Sequence, residues 1–418
     1  MPPPSLAPPR DLTIPEPGST TAREVLSRGI GRLLRELPRV GRGAALSAAG
    51  REDLAAFQRV ARLALARSPG AVASALRRPT AGALVRCLRS AATLPGGRAE
   101  ALLAELQAIV YAELAGAGAL PEPVRMRRAP ARVPLLAARL VIELPGDATG
   151  VAFEDGRLAI ERPGGAEIVR LGAAAGEAPG AGPGGVRVAR PYREIEGDIV
   201  LALADNNPLA MEEAHPDKSG NAVDLGGHDA EAWARALREA LAPVARHLPE
   251  LRREMDLYVH QIVPVGFDPV RHLSASYQEA IGTLYLSLHP SAMTLSEALI
   301  HELSHSKINA LFELDDVLEN AFSPHYTSPV RPDPRPLHGV LLAVHAFLPV
   351  ARLYERMIEA DEPQAQHASF RERFVRICAI NREGADIVLR HGRPTQIGAG
   401  LMAEISRWVD HYGSGLHN

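Results

Sequence analysis

The strongest constraint on how this chain folds is that helical and strand periodicities occupy separate blocks of its 418 residues. Apolar positions recur at intervals of three and four in TAREVLSRGIGRLLREL, EDLAAFQRVARLALA and RAEALLAELQAIVYAELA, so 21–120 reads as an N-terminal helical region. After Pro121 the period shortens. ARLVIELP, VAFEDGRLAIER and AEIVRLG alternate as strands do, and Asp155-Gly156 between two of them signals a hairpin. Residues 121–195 therefore read as a strand and hairpin region, with a Gly-rich loop (GAAAGEAPGAGPGG) at 172–185. In 196–418 three strand candidates, DIVLALAD, LYVHQIVPV and IGTLYLSL, precede a mostly helical stretch from 294 to 412. Helices and strands in blocks predict an α+β, mostly helical fold with a small central sheet. The opening MPPPSLAPPRDLTIPEPGS is proline-rich, and 1–20 is expected to be a disordered tail.

Composition narrows the functional classes. Two cysteines, Cys87 and Cys378, are too few for a disulfide scaffold or a thiolate zinc cluster, and they suit a reducing cytoplasm. A net charge of −3 gives no global support for binding nucleic acid. No run of about 20 uninterrupted apolar residues stands out, so no membrane partner is expected.

The sharp chemical signal is His301-Glu302-Leu303-Ser304-His305, an H-E-x-x-H. Thr294 and Glu297 have capping-box spacing ahead of TLSEALIHELSHSKINALF, which predicts that the motif lies on a helix. Four residues apart on a helix, His301 and His305 aim two imidazoles at one point, and Glu302 lies about 100° round the axis. Such a site holds a metal, with the Glu placed as a zinc peptidase places its general base. A third ligand is needed. Ile308 and Leu311 stand where an extended metal motif would have Gly and His, while Glu313, Glu319 and Glu355 are available acids. Downstream, a helix opening near Pro336 carries His338 and His345, and His325 lies before it. His345 is set among Leu341, Leu342, Val344, Phe347 and Leu348, so it is either a satisfied core histidine or a ligand. Arg331 and Arg335 flank Pro332, Asp333 and Pro334 in a stiff loop; their guanidinium forks either grip a carboxylate or pair with Asp333.

Taken in order, SASYQEAIGTLYLSL, LSEALIHELSHSKINALFEL and SPVRPDPRPLHGVLLAVHAF resemble the HExxH-motif peptide-modification proteins. These occur near genes for ribosomally made, modified peptides, and members are described as 2-oxoglutarate-dependent, non-haem iron peptide β-hydroxylases. The resemblance covers about 198–360 and is densest at 295–348. It implies His301 and His305 as iron ligands, His345 as the third, and Arg335 or Arg331 as the partner of the 2-oxoglutarate carboxylate. Glu302 then handles protons or orients a neighbour. Iron oxygenases commonly use two His and one carboxylate, and the motif here departs from that by offering a third His. The expected function is an Fe(II)- and 2-oxoglutarate-dependent hydroxylase that uses O2 on a ribosomally made precursor peptide. The alternatives are a zinc metallopeptidase and a helical binding module with a degenerate motif.

Overall fold

A computed structural model of the chain describes residues 6–171, 185–212, 214–215, 218–328 and 333–415. Five helices come first: α1 (Thr21–Glu36), α2 (Ala48–Arg67), α3 (Pro69–Arg77), α4 (Pro79–Cys87) and α5 (Gly96–Gly116). Short strands follow as β1 (Val124–Met126), β2 (Arg132–Leu135), β3 (Leu140–Glu143), β4 (Gly150–Glu154), β5 (Arg157–Arg162), β6 (Gly165–Arg170) and β7 (Arg187–Ala189). They make two antiparallel sheets, ordered β1-β4-β5-β6 and β2-β3-β7. The β4–β5 hairpin turns at the expected Asp155-Gly156, where Gly156 takes φ +68°, a conformation that costs glycine little. Most of the expected Gly-rich loop lies outside the described residues.

The second half holds β8 (Tyr192–Glu196), β9 (Ile199–Ala202), the small pair β10 (Ala214–His215) and β11 (Lys218–Ser219), and helices α6 (Ala230–His247) and α7 (Pro249–Tyr258). Next come β12 (Gln261–Phe267), β13 (Ser274–Ala275), β14 (Thr283–Leu288) and α8 (Ala292–Phe312). The pair β15 (His325–Tyr326) and β16 (Arg335–Pro336) precedes α9 (Leu337–Glu359), α10 (Ala368–His391) and α11 (Gln396–Gly415). The main sheet is ordered β13-β14-β12-β9-β8, with β12 parallel to both neighbours and antiparallel strands at the two edges. Its two faces follow the strand period of two. Ile199, Leu201, Ile262, Leu284 and Leu286 join the helices in one core, while Val200, Ala202, Val263 and Tyr285 cover Leu136 and Val141. The fold is α+β and mostly helical, as expected.

Two expectations about domains need correction. The helices α2–α5 and the strands β1–β6 share a single core, so the anticipated boundary near 120 is not a boundary between cores. The tail expected to be disordered is, over residues 6–20, partly interior: Leu12 and Thr13 are fully buried and Ile14 nearly so. The proline-rich composition hid the short segment Leu12-Thr13-Ile14, whose three residues are buried. A third expectation also differs. Helix α9 is long and apolar enough to cross a membrane, but 72% of its most apolar window is buried inside the protein. That burial accounts for its composition.

Candidate metal centre

Helix α8 starts three residues before the expected capping box. Ser291 caps it, its Oγ accepting from the Thr294 amide at 3.3 Å. Glu297 instead takes the Arg373 guanidinium at 2.5 Å and the Tyr354 hydroxyl at 2.5 Å, charge-assisted contacts that outweigh a local cap. The helix is enclosed by α1, α6, α7, α9, β13 and β14, which is why its apolar residues run round the whole circumference.

On this helix His301 and His305 meet as the spacing demands. Their Nε2 atoms are 2.9 Å apart, and the rings cross at 84°. Phe347 of α9 packs edge-on against His301 at 4.7 Å between centroids. Both residues are partly exposed. Burial pushes the pKa of each below the usual imidazole range, helped at His301 by His305 and His272 and opposed at His305 by Glu302. Neutral imidazole is the form that binds a metal.

Glu302 is 2% exposed and doubly held. Ser274 Oγ donates to one carboxylate oxygen and Ser276 Oγ to the other, each at 2.6 Å. Ser274 lies on edge strand β13 and Ser276 just past its end, so both hydroxyls reach Glu302 of α8 while Ala275 between them faces the opposite cluster. Among the described residues, His301, Glu302 and His305 are the group able to hold a metal, with ligand atoms mutually within 4.8 Å.

The donor set fits a cation. A 2.9 Å nitrogen separation suits a shared proton, and it also suits two ligands about 2.1 Å from one centre at about a right angle; tetrahedral ligands would stand about 3.4 Å apart. His305 Nδ1 is buried without a hydrogen-bond partner among the described residues.

The other expected residues fall as follows. His345 is fully buried, with Nδ1 3.0 Å from Thr13 Oγ1 and Nε2 unpartnered. It lies outside the 4.8 Å group but near enough to be influenced by His305 and His301; burial first, then Lys307, holds its pKa well down. His338 is sandwiched by Phe312 and Phe322, at 4.5 and 5.1 Å, and His325 is exposed. The candidate acids are engaged or exposed: Glu313 pairs with Arg86 and Arg89, Glu355 with Arg352 and His411, and Glu319 is exposed. Arg335 Nε is 2.8 Å from Asp333 Oδ2, the pairing that spacing alone suggested, and its stem lies beside Gly339. Arg331 lies outside the described residues.

Sequence reasoning missed Ser274, Ser276 and His272. The first two carry a weak signal, a Ser-x-Ser alternation on a strand. His272 carries none. It has a buried, unpartnered Nε2, feels both Glu302 and His289, and burial drives its pKa down to about 4.

No protein-family model matches the chain, and no curated protein matches it.

Proposed function

We propose that the protein is an Fe(II)- and 2-oxoglutarate-dependent peptide β-hydroxylase that acts on a ribosomally made precursor peptide in the cytoplasm. The observation that carries the choice over a zinc peptidase is the double serine grip on Glu302. A peptidase base turns a carboxylate oxygen to the metal-bound water, whereas here each oxygen of Glu302 is held by a serine hydroxyl beside α8.

In this reading His301, His305 and His345 hold iron. When bound with 2-oxoglutarate and O2, iron supplies the oxidising power to turn an unactivated C–H into C–OH, with release of succinate and carbon dioxide. The chain's own work is positional. Burial keeps the imidazoles neutral and ready to ligate. Ser274 and Ser276 fix the Glu302 carboxylate so that it orients its surroundings. Phe347 presents an aromatic edge to His301 and keeps water from that side. Arg335 would grip the 2-oxoglutarate carboxylate by exchanging it for Asp333.

The test uses full-length protein purified without oxygen, loaded with Fe(II) and supplied with 2-oxoglutarate and O2. Succinate is expected, coupled to the gain of one oxygen atom when the peptide is present. Glu302→Gln should still turn over at a reduced rate. Cleaved peptide without succinate, together with a loss of about a hundred- to ten-thousand-fold in Glu302→Gln, would establish the zinc peptidase instead.

A further inference from the structure

A cavity of about 450 Å3 lies between α9, α11 and the turn from α6 to α7, with the N-terminal strap, 11–17, along one side. His301, Glu302 and His305 are not among its lining residues, and its volume is that of an ordinary small-molecule site. The strap is fixed in place. Glu404 of α11 accepts the backbone amides of Thr13 at 2.9 Å and Ile14 at 3.0 Å, and Arg407 donates to the Arg10 carbonyl at 3.0 Å. Part of the lining is apolar, from Ile14, Pro15, Pro17, Leu248 and Leu251. The rest carries three guanidiniums, Arg352 and Arg356 one turn apart on α9 and Arg407 on α11, together with Trp408. Donors exceed acceptors here, since each guanidinium has five N–H groups. Arg352 meets Glu355 through Nη1 at 2.5 Å, Arg356 meets Glu359 through Nη1 at 2.6 Å, and Arg407 meets Glu16 through Nη2 at 3.3 Å. Both acids in the lining are engaged, Glu16 by Arg407 and Glu250 by Arg253 at 2.9 Å. The indole ring of Trp408 is held by Tyr412, stacked at 6.2 Å, and by the Arg352 guanidinium, 5.4 Å from its centroid. Its N–H is buried and has no hydrogen-bond partner among the described residues. A buried donor is costly to leave unmatched, so a guest that suits this cavity brings acceptors.

We propose that this cavity binds a carboxylate carried on an apolar body, with Arg352, Arg356, Arg407 and the Trp408 N–H receiving the carboxylate and the prolines and leucines receiving the body. A guanidinium can keep one acid on one nitrogen and still offer another edge of its fork to a second. A bare phosphate fits less well, because the apolar lining would replace none of its hydration. A free organic acid and the C-terminal residue of a peptide present the same chemistry. The proposal does not depend on what the metal centre does.

The test is titration calorimetry of the full chain with phenylbutyrate, its neutral amide, N-acetyl-leucyl-phenylalanine with a free C-terminus, and inorganic phosphate. Saturable binding of a carboxylate is expected, with the amide weaker by about ten- to a hundred-fold. Binding of phenylbutyrate names a free acid as the source, and binding of the peptide alone names a peptide C-terminus. Arg352→Gln and Arg407→Gln should each weaken the carboxylate by about ten-fold or more, and Trp408→Phe, which keeps a ring and removes the N–H, should weaken it too. Arg62→Gln, exposed on α2, should leave it unchanged. The thermal midpoint checks the fold of each variant, and Arg407, half exposed, gives the variant least able to disturb it. Equal affinity for acid and amide overturns the proposal, as does carboxylate binding that survives the Arg352→Gln, Arg407→Gln double variant. So does phosphate binding as tight as that of the carboxylates, or no binding of either carboxylate at millimolar concentration.

Discussion

The carboxyl of Glu404 pins the strap in one buried place, accepting the backbone amides of Thr13 and Ile14. Burial pushes its pKa up from the ordinary 4.5 to about 7, against the opposing pull of the Ile14 and Thr13 amides and Lys307. The sign follows from proton counting. Between these two values the folded protein holds a proton that the unfolded chain has released, so stability from this group is full below about pH 4.5 and falls as pH rises through about 7. Replacing it with glutamine keeps the shape and removes the titration. Compared with Glu404→Gln, the wild type should lose about 3 kcal/mol of unfolding free energy between about pH 4.5 and about pH 8. Urea denaturation at both ends of that range measures the difference, and parallel pH profiles for the two proteins would show that Glu404 titrates normally.

Helix α8 brings the metal ligands to one point only if its rotation and height are set from behind. Lys307, wholly buried, is 2.5 Å from Glu254 of α7 and so joins the back of α8 to a neighbour. Burial raises the Glu254 pKa, while the Lys307 charge pulls it down. Breaking such a pair strands a charge in the interior, whereas replacing both members with apolar groups of similar volume often does no harm. Lys307→Met alone is expected to cost about 3 to 5 kcal/mol, and Lys307→Met with Glu254→Leu to recover most of it. Chemical denaturation of the three variants gives the comparison; a double variant as weak as the single would mean that packing, not charge, fixes α8 at this point.

Across the whole molecule, the two large cores meet along α1, which contributes to both, and at Glu313 at the end of α8. Its carboxylate takes Arg86 at 3.2 Å and Arg89 at 2.5 Å from the helices of the other core, and Arg32 donates to its carbonyl. Arg86 is 7% exposed, so Glu313→Gln would leave a buried cation without its counter-charge, at a cost of about 3 kcal/mol or more. Both tryptophans, Trp233 and Trp408, lie in or against the core that contains α8. Fluorescence therefore reports that core, and far-ultraviolet circular dichroism reports all the helices. The two signals should change together in wild type and separate in Glu313→Gln, with helical signal lost first. Coincident transitions in the variant would mean that the cores stay coupled without this contact.

What the sequence by itself determined is local. Helix and strand periods, the Asp155-Gly156 turn and the stacking of His301 over His305 depend on residues a few positions apart; the turn and the histidine pair are found where the spacing put them, while Leu257 and Tyr258 of the strand expected at LYVHQIVPV belong to α7. The cap of α8 was legible only approximately, because Ser291 and Thr294 both have the chemistry of a cap. The remainder of the site was decided by tertiary structure. Ser274 and Ser276 reach Glu302 across 28 and 26 positions, Thr13 reaches His345 across 332, and Glu404 reaches the strap across 391. A short polar side chain carries no mark of the partner it will meet. Such pairs exist because two cores and a threaded strap leave little room for water, and each buried donor must then find an acceptor in whichever segment packs beside it.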